Sequence, residues 1–137
     1  MEGSERGKRG PPRTASPSVE TMEAEICREV LAIQLNSYGR GAASIRAHVL
    51  DDTVIVLLDG LELQPSEEFL IAEGRAEAVT TVRNHYQQAI AASFKAVVER
   101  ATGRRVVGFA SQQQISEPRF AVEVFRLKPA SNPKLAG

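Results

Sequence analysis

The longest regular pattern of hydrophobic positions in this chain lies between Arg75 and Gly103. Apolar side chains recur there every three or four residues, which puts them on one stripe of a 3.6-residue helix. No proline interrupts the stretch, and Gly103 follows Thr102 where a left-handed C-terminal cap is expected. The pattern predicts one amphipathic helix of roughly 40 Å that covers a β-sheet. The predicted stripe consists of Val79, Val82, Tyr86, Ile90, Phe94, Val97 and Ala101.

A second helical pattern precedes it and runs from about Met22 to Ser37. Thr21 is a suitable N-cap, and the acidic residues of the first turn favour the positive end of the helix dipole. The apolar stripe of this helix is wide, so we expect the helix to be buried against more than one partner. The stripe is Met22, Ile26, Val30 and Ile33, widened by Cys27, Leu31 and Leu35.

Alternation with a period of two predicts a β-hairpin after this helix. Its first strand alternates around Ala47, Asp51-Asp52 supplies the turn, and the return strand runs from Thr53 to Asp59 and ends at Gly60. The return strand is apolar on both faces, which is typical of a strand that is covered on both sides. The helices would be one cover, and the first helix or a second copy of the protein would be the other.

The rest of the pattern predicts one more helical segment and a second hairpin. Pro65 suits the first position of a short helix that breaks at Gly74, before the long helix begins. The order is α-β-β-α-α-β-β, an α+β fold in which an antiparallel sheet of two β-hairpins carries an N-terminal helix and the long amphipathic helix. In the second hairpin, Val107, Phe109 and Ser111 share one face of the first strand, and Phe120, Val122 and Val124 share one face of the second.

Composition divides the chain into one domain and two tails. Residues 1–20 are rich in Gly, Pro, Ser and basic side chains, and such a segment buries too little apolar surface to offset its ordering entropy. Residues 129–137 contain two prolines and few apolar side chains. We therefore expect a single domain over residues 21–128 between two disordered tails. Its core should be mainly aliphatic, because aromatics make up 5% of the chain and Trp is missing.

Charge and cysteine content exclude several classes of protein. The 17 basic and 17 acidic residues cancel, which argues against nucleic acid or anionic lipid as the dominant partner. Cys27 is the single cysteine, so an intrachain disulfide and a Cys-based metal site are excluded. No apolar run reaches the ~18 residues of a membrane span, and the N-terminus lacks the apolar core of a secretory signal. We expect a soluble, cytoplasmic protein.

The residues offer no catalytic constellation. His48 and His85 lie on different predicted elements, without Cys or Glu pairs at metal-ligand spacing. The segment Gly39-Arg40-Gly41 has neither the length nor the Lys-Ser/Thr ending of a phosphate loop. We therefore predict no catalytic residue, no metal site and no cofactor.

Three features stay open as contact candidates. Arg40, between two glycines and next to Tyr38, either presents its guanidinium to a carboxylate or phosphate or is solvated in a tight connection. The arginines near the end of the long helix either bind an anion or only favour the helix dipole. The apolar strand and the first helix are either core or the interface of a homodimer. The candidate contact residues are Tyr38, Gly39, Arg40, Gly41, Arg100, Arg104 and Arg105.

Short pieces between residues 25 and 127 occur in a characteristic order and spacing. They are Gly39-Arg40-Gly41, Asp51-Asp52 with Val54 and Val56, Gly60-Leu61, Pro65 with Glu67, Gly74, Val79 with Arg83, Thr102-Gly103 with Val106 and Val107, and Phe120. In these pieces the chain resembles a bacterial family named for MpsC, a component of a sodium-translocating, membrane-potential-generating system. Gln64 and Ala42 depart from the family pattern, which has Thr and Pro there. A Thr at position 64 would cap the next helix together with Glu67.

The resemblance implies a soluble accessory factor of a membrane ion-translocating or bicarbonate-uptake system, which acts through protein contacts. Its place would be the cytoplasm or the inner face of the membrane. The resemblance does not imply an enzyme, since the family has no established catalytic residues. The alternative is a small RNA-binding or ribosome-associated α+β domain, against which stand the zero net charge and the lack of strand aromatics for stacking.

Overall fold

The computed structural model of the protein describes residues 18–129. The order of elements is the predicted α-β-β-α-α-β-β, which the structure confirms. The predictions for the two tails fall outside the described residues, except at residues 18–20 and 129. The elements are α1 (Val19–Tyr38), β1 (Ala42–Leu50), β2 (Thr53–Leu61), α2 (Pro65–Ala72), α3 (Ala76–Thr102), β3 (Val106–Gln114) and β4 (Phe120–Leu127).

Helix α1 begins earlier than its hydrophobic pattern predicts. Its N-cap is Ser18, whose hydroxyl accepts a hydrogen bond from the N–H of Thr21 at 3.1 Å. Thr21 is therefore the third residue of the helix and not its cap, and Val19 and Glu20 are helical although the sequence pattern assigned them to the tail. A serine cap satisfies a free N–H as well as threonine does, and so the apolar stripe alone could not locate this end.

The four strands form one antiparallel sheet in the order β1-β2-β4-β3. Each hairpin contributes an edge strand and a central strand, and the two central strands pair from Thr53 opposite Arg126 to Asp59 opposite Phe120. Strand β2 continues through Gly60 to Leu61, beyond the predicted end. The predicted sheet of two hairpins is therefore correct, and β2 and β4 join them.

One face of the sheet carries the helices and forms the core. Val54, Val56 and Leu58 of β2 are buried there, as is Phe125 of β4. Helix α1 packs on β1, α3 packs on β3, and the two helices also contact each other. The ring of Phe109 on β3 lies 5.0 Å from that of Phe125, so the aromatic contacts are at the β3–β4 end of the core.

The C-terminal half of α3 is buried as predicted, and the helix ends at Gly103 with φ 72°. In the N-terminal half of the predicted stripe, Val79 is buried as predicted, but the prediction is wrong for two residues. Val82 and Tyr86 are 53% and 43% exposed, and Arg83 and Gln87 are buried in their place. The helix can turn this polar pair inward because both side chains find hydrogen-bond partners there.

The predicted faces of the second hairpin are correct only in part. The pairing of β3 with β4 shifts register between Val106 and Gly108, and Val107 at this irregularity is 59% exposed. Val107 therefore does not share the core face with Phe109 and Ser111, because an extra residue in a strand reverses the side-chain direction locally. On β4 the predicted set Phe120, Val122 and Val124 lies on the face away from the helices, and the core face carries Ala121, Glu123, Phe125 and Leu127.

Gly60 allows the close approach of β1 and β2 at the end of the first hairpin. It has φ 63°, and a Cβ at this position would lie 2.7 Å from the Cβ of Ala43. We expect Gly60→Ala to lower the free energy of unfolding by about 2–4 kcal/mol, from left-handed strain and overpacking together. Gly103→Ala is the matched control, because φ is 72° there and a Cβ would meet nothing within 4 Å.

The control should lose only about 1 kcal/mol, and the added substitution Ala43→Gly should restore part of the stability lost in Gly60→Ala. Urea unfolding of the wild type and the three variants measures these differences. Equal losses for Gly60→Ala and Gly103→Ala would contradict the steric explanation.

Candidate interaction site

Three helices meet at a cleft of about 350 Å³ beside the C-terminal end of α1. Tyr38 lies at its α1 side, and Ser66 lies in the first turn of α2. Val82 and Tyr86 of α3 form the exposed apolar margin. The ring centroids of Tyr38 and Tyr86 are 5.1 Å apart, so the two tyrosines form one aromatic wall. We name this surface, with Arg83 at its base, the α1–α3 cleft.

Arg83 forms the base of the cleft, and its side chain is only 1% exposed. Its Nε and Nη2 donate to the two carboxylate oxygens of Glu67 at 2.7 and 3.1 Å, and Nη1 donates to Oε1 of Gln113 at 2.9 Å. The guanidinium carbon lies 4.3 Å from the ring centroid of Tyr38. A bidentate carboxylate and an aromatic face together stabilise a buried cation.

The hydroxyl of Tyr38 extends this network towards the sheet. It donates to Oε1 of Gln87 at 2.8 Å and accepts from Nε2 of Gln113 at 3.2 Å. Nε2 of Gln87 in turn lies 3.0 and 3.2 Å from the carboxylate oxygens of Glu123, and 2.6 Å from the hydroxyl of Ser111. Polar groups of all three helices and of β3 and β4 are therefore connected inside the domain.

The two carboxyl groups of the network have opposite pKa shifts. Burial raises the pKa of Glu123 to about 7, and the hydrogen bonds from Ser111 and Gln87 offset the burial only in part. Burial also favours a higher pKa for Glu67, but hydrogen bonds from Arg83 and from the backbone N–H of Gln64 outweigh it and hold the pKa below its usual value. The difference arises because Glu67 has a cation beside it and Glu123 has only neutral partners.

The predicted contact residues around Arg40 lie beside the cleft. Tyr38 and Gly39 line it, Arg40 is exposed, and Gly41 is buried. Gly39 is the left-handed cap of α1, and a Cβ there would collide with Nε2 of Gln64, which donates to the carbonyl of Tyr38 at 2.6 Å. The glycine therefore lets the loop before α2 close against the end of α1. A role of Arg40 in binding stays a prediction.

The three predicted arginines lie at the other end of α3. Arg100 pairs with Glu29 of α1 at 2.8 Å, and Arg104 binds the carboxylate of Asp52 in the β1–β2 turn. Arg105 is exposed. Arg100 is about 25 Å from Arg83 along the helix, so the structure does not bring these arginines to the cleft. Anion binding by them stays a prediction.

Sequence reasoning missed the polar residues of this network, of which Arg83, Gln87 and Glu123 are buried and Gln113 is partly buried. A signal was present for three of them. Val79, Arg83 and Gln87 follow one another at intervals of four residues, the spacing of a single helix face. The alternation of β4 likewise puts Glu123 in line with Phe125. Both signals were missed because charged and amide side chains are rarely buried unless they are paired, and the sequence does not name the partners.

Within residues 18–129, no helix combines the length and hydropathy needed to cross a membrane. In the same part of the chain, no group of three or more His, Cys, Asp or Glu side chains could hold a metal ion.

Arg83 should be the side chain of the network whose loss destabilises the fold most. We expect Arg83→Met to lower the free energy of unfolding by about 3–5 kcal/mol, because it leaves the Glu67 carboxylate without its cation. The double variant Arg83→Met/Glu67→Gln should recover part of this loss, because it removes the unpaired charge as well. Urea unfolding of wild type, both single variants and the double variant measures the coupling. A loss below 1 kcal/mol for Arg83→Met would contradict this role.

Glu123 should make the protein less stable as the pH rises. The folded state holds this proton up to about pH 7, whereas the unfolded chain releases it near the ordinary 4.5. Between these values the folded state binds more protons, so stability falls with increasing pH by on the order of 3 kcal/mol. Glu123→Gln should abolish this decrease and exceed wild type in stability at pH 8. Thermal unfolding between pH 4.5 and 8 measures both effects.

Glu73→Gln, at an exposed position, is the control for that experiment and should keep the wild-type pH dependence. A wild-type stability that does not fall between pH 5 and 7, or the same decrease in Glu123→Gln, would show that Glu123 is not the group responsible.

Comparison with families of known proteins assigns the chain to a family. A family model described as "Na+-translocating membrane potential-generating system (MpsC)" matches residues 18–128 of the 137. Comparison with curated proteins and with solved structures gave no significant match. The matched segment covers α1 to β4, and therefore the whole α1–α3 cleft and the network beneath it. The chain belongs to the MpsC family.

Proposed function

We propose that this protein is a non-catalytic component of a sodium-translocating, membrane-potential-generating system and that it acts through protein contacts at the α1–α3 cleft. The family description supports the system. The observation that carries the mode of action is the exposure of Val82 and Tyr86 at the margin of the cleft. Apolar side chains beside a concave surface are a common feature of protein interaction sites.

The tyrosine side chains of the cleft are held by several contacts within the domain, which favours tight binding. Tyr86 rests on Tyr38, and Tyr38 is held by Gln87, by Gln113 and by the cation of Arg83. A partner therefore meets side chains that are already ordered, so that little conformational entropy is lost on binding. Tyrosine and arginine are also the residue types that most often dominate the energy of protein interfaces.

The polar side of the cleft indicates what kind of partner fits. Ser66 and the partly exposed carboxylate of Glu67 lie opposite the apolar margin. A partner segment would place an aliphatic or aromatic side chain in the cleft and a hydrogen-bond donor or a cation near Glu67. A juxtamembrane segment of a membrane subunit has this mixture of apolar and basic residues. The protein would then lie at the inner face of the membrane.

A non-catalytic role agrees with how the polar groups are used. Arg83 donates to Gln113, Gln113 donates to the hydroxyl of Tyr38, and Gln87 donates to Ser111, all inside the domain. Glu123 is 1% exposed. A general acid or base must come within hydrogen-bond reach of its substrate. We also propose that the associated membrane system takes up bicarbonate. RNA binding, the alternative from the sequence, stays a prediction.

Substitution of the cleft margin tests the proposal in cells. Deletion of the gene should lower the sodium-dependent membrane potential, measured with a voltage-sensitive dye, and the wild-type gene should restore it. Val82→Glu and Tyr86→Glu should fail to restore it, and the tagged variants should retain the membrane subunits at least about 10-fold less well in pull-downs. The physical reason is that a carboxylate buried in the interface remains unpaired.

Phe69→Glu is the control, because Phe69 is 63% exposed on α2 and does not line the cleft. It should behave as wild type. Melting temperatures of all variants separate loss of binding from loss of folding. Full restoration by well-folded Tyr86→Glu and Val82→Glu would refute the cleft, and an unchanged membrane potential after deletion would refute the function.

A further inference from the structure

We propose that the face of the sheet turned away from the helices is an interface between two copies of this chain. We name it the open sheet face. It lies on the opposite side of the sheet from the core, and its use does not depend on the function proposed for the α1–α3 cleft. The observations that carry it are an apolar centre, a polar margin, the available area and the position of two opposite charges.

The centre of the open sheet face is a block of four aliphatic side chains. Ile55 and Leu57 lie on β2, and Val124 and Val122 lie directly opposite them on β4. All four are partly buried by their neighbours in the sheet, yet none is among the partly buried apolar side chains that pack against the core. Among the described residues, the helices pack on the other face of the sheet. An apolar sheet face of this kind is normally covered.

Polar side chains surround this block on both edge strands. Arg46 and His48 of β1 lie opposite Leu57 and Ile55, and Gln112 of β3 lies opposite Val122. An apolar centre with a hydrated polar margin is the usual arrangement of a protein–protein interface. The open sheet face therefore has the composition of an interface as well as an unpartnered apolar centre.

The area of the face is sufficient for a specific dimer. Four strands of eight or nine residues cover about 19 Å by 30 Å, or about 570 Å² in plan. Two such faces would bury about 1,100 Å² in total, which exceeds the roughly 1,000 Å² expected of a specific interface. Two sheets can pack in this way at a distance of about 10 Å.

The charges beside the block favour a second copy of the same chain as the occupant. Arg126 lies one row beyond the block on β4, and Asp59 lies one row beyond its other end on β2. The two are diagonally opposite and equally far from the centre of the block. A two-fold axis in the plane of the interface can therefore bring Arg126 of each copy over Asp59 of the other, as an isologous contact requires.

This arrangement agrees with the known geometry of packed sheets. Arg126 and Asp59 lie on neighbouring strands and six residues apart along the strand direction. A two-fold axis that exchanges their positions makes the strands of the two copies cross at about 26°. This angle is comparable in size to the about 30° of aligned sheets. Asp59 already binds Arg46 at 2.9 Å, so it would join two cations. The zero net charge of the chain means that no overall repulsion opposes self-association.

The test is the mass of the full chain in solution, by light scattering and sedimentation between about 1 and 100 μM, a range that detects a dimer with a micromolar dissociation constant. The expected mass is twice the 14.9 kDa of one chain. Leu57→Glu should shift the protein to the monomer, with a dissociation constant raised at least about 100-fold, because each copy would bury an unpaired carboxylate. Phe69→Glu makes the same change on an exposed apolar residue of α2 and should stay dimeric.

Two further variants keep the proposal falsifiable if Leu57→Glu does not fold. The double variant Leu57→Thr/Val122→Thr retains β-propensity and should also weaken the dimer. Arg126→Asp should weaken the dimer about 10-fold, because it removes the contact with Asp59 of the other copy. In 1 M salt, which screens the same ion pair, the wild-type dimer should be weaker as well. Melting temperatures confirm that the variants are folded.

Each outcome decides the question. A wild-type dimer that dissociates on substitution of Leu57, but not of Phe69, supports the open sheet face. A monomer at all concentrations overturns the proposal, as does a dimer that persists in Leu57→Glu. Binding of RNA by the wild type, lost in Leu57→Glu without any dimer, also overturns it in favour of a nucleic-acid surface.

Discussion

The buried guanidinium of Arg83 is the interaction on which the arrangement of the helices depends. It holds the first turn of α2 through Glu67, the end of α1 through the ring of Tyr38, and β3 through Gln113. A cation removed from water is stable only when nearly all of its hydrogen-bonding capacity is used. The positions of its partners are therefore tightly constrained, and with them the relative positions of four elements of the fold.

This network also explains why the helical surface and the sheet surface of the protein differ. Turning Arg83 and Gln87 inward turns Val82 and Tyr86 outward, so the exposed apolar margin of the cleft is a consequence of the buried polar pair. The apolar surface of the sheet has another cause. Strand β2 carries apolar side chains on both faces, and Ile55 and Leu57 lie on the open sheet face independently of how the helices are oriented. The molecule thus presents two separate apolar surfaces with different physical origins.

The relation between sequence and structure is clearest at particular residues. The hairpins, the left-handed cap at Gly103 and the start of α2 at Pro65 follow from local rules, and the structure has all of them. With 100° per residue, Phe94, Val97 and Ala101 place the centre of the buried stripe of α3 on the direction of Arg83. The apolar positions of the C-terminal half therefore agree with the observed orientation of the helix. The apolar positions alone do not select this orientation, because an arginine at the centre of a core face is unfavourable unless a partner such as Glu67 is known.

The sequence by itself determined the order of elements, the two hairpins and the ends of most helices, because these depend on side chains a few residues apart. Two of its candidate contact residues, Tyr38 and Gly39, line the cleft, and their contact with a partner stays a prediction. Only the tertiary structure decided which polar residues are buried, and that Arg100 and Arg104 bind side chains of their own chain. These outcomes depend on whether groups far apart in the chain meet with hydrogen-bonding geometry, because the cost of burying a charge is much lower when that charge is paired.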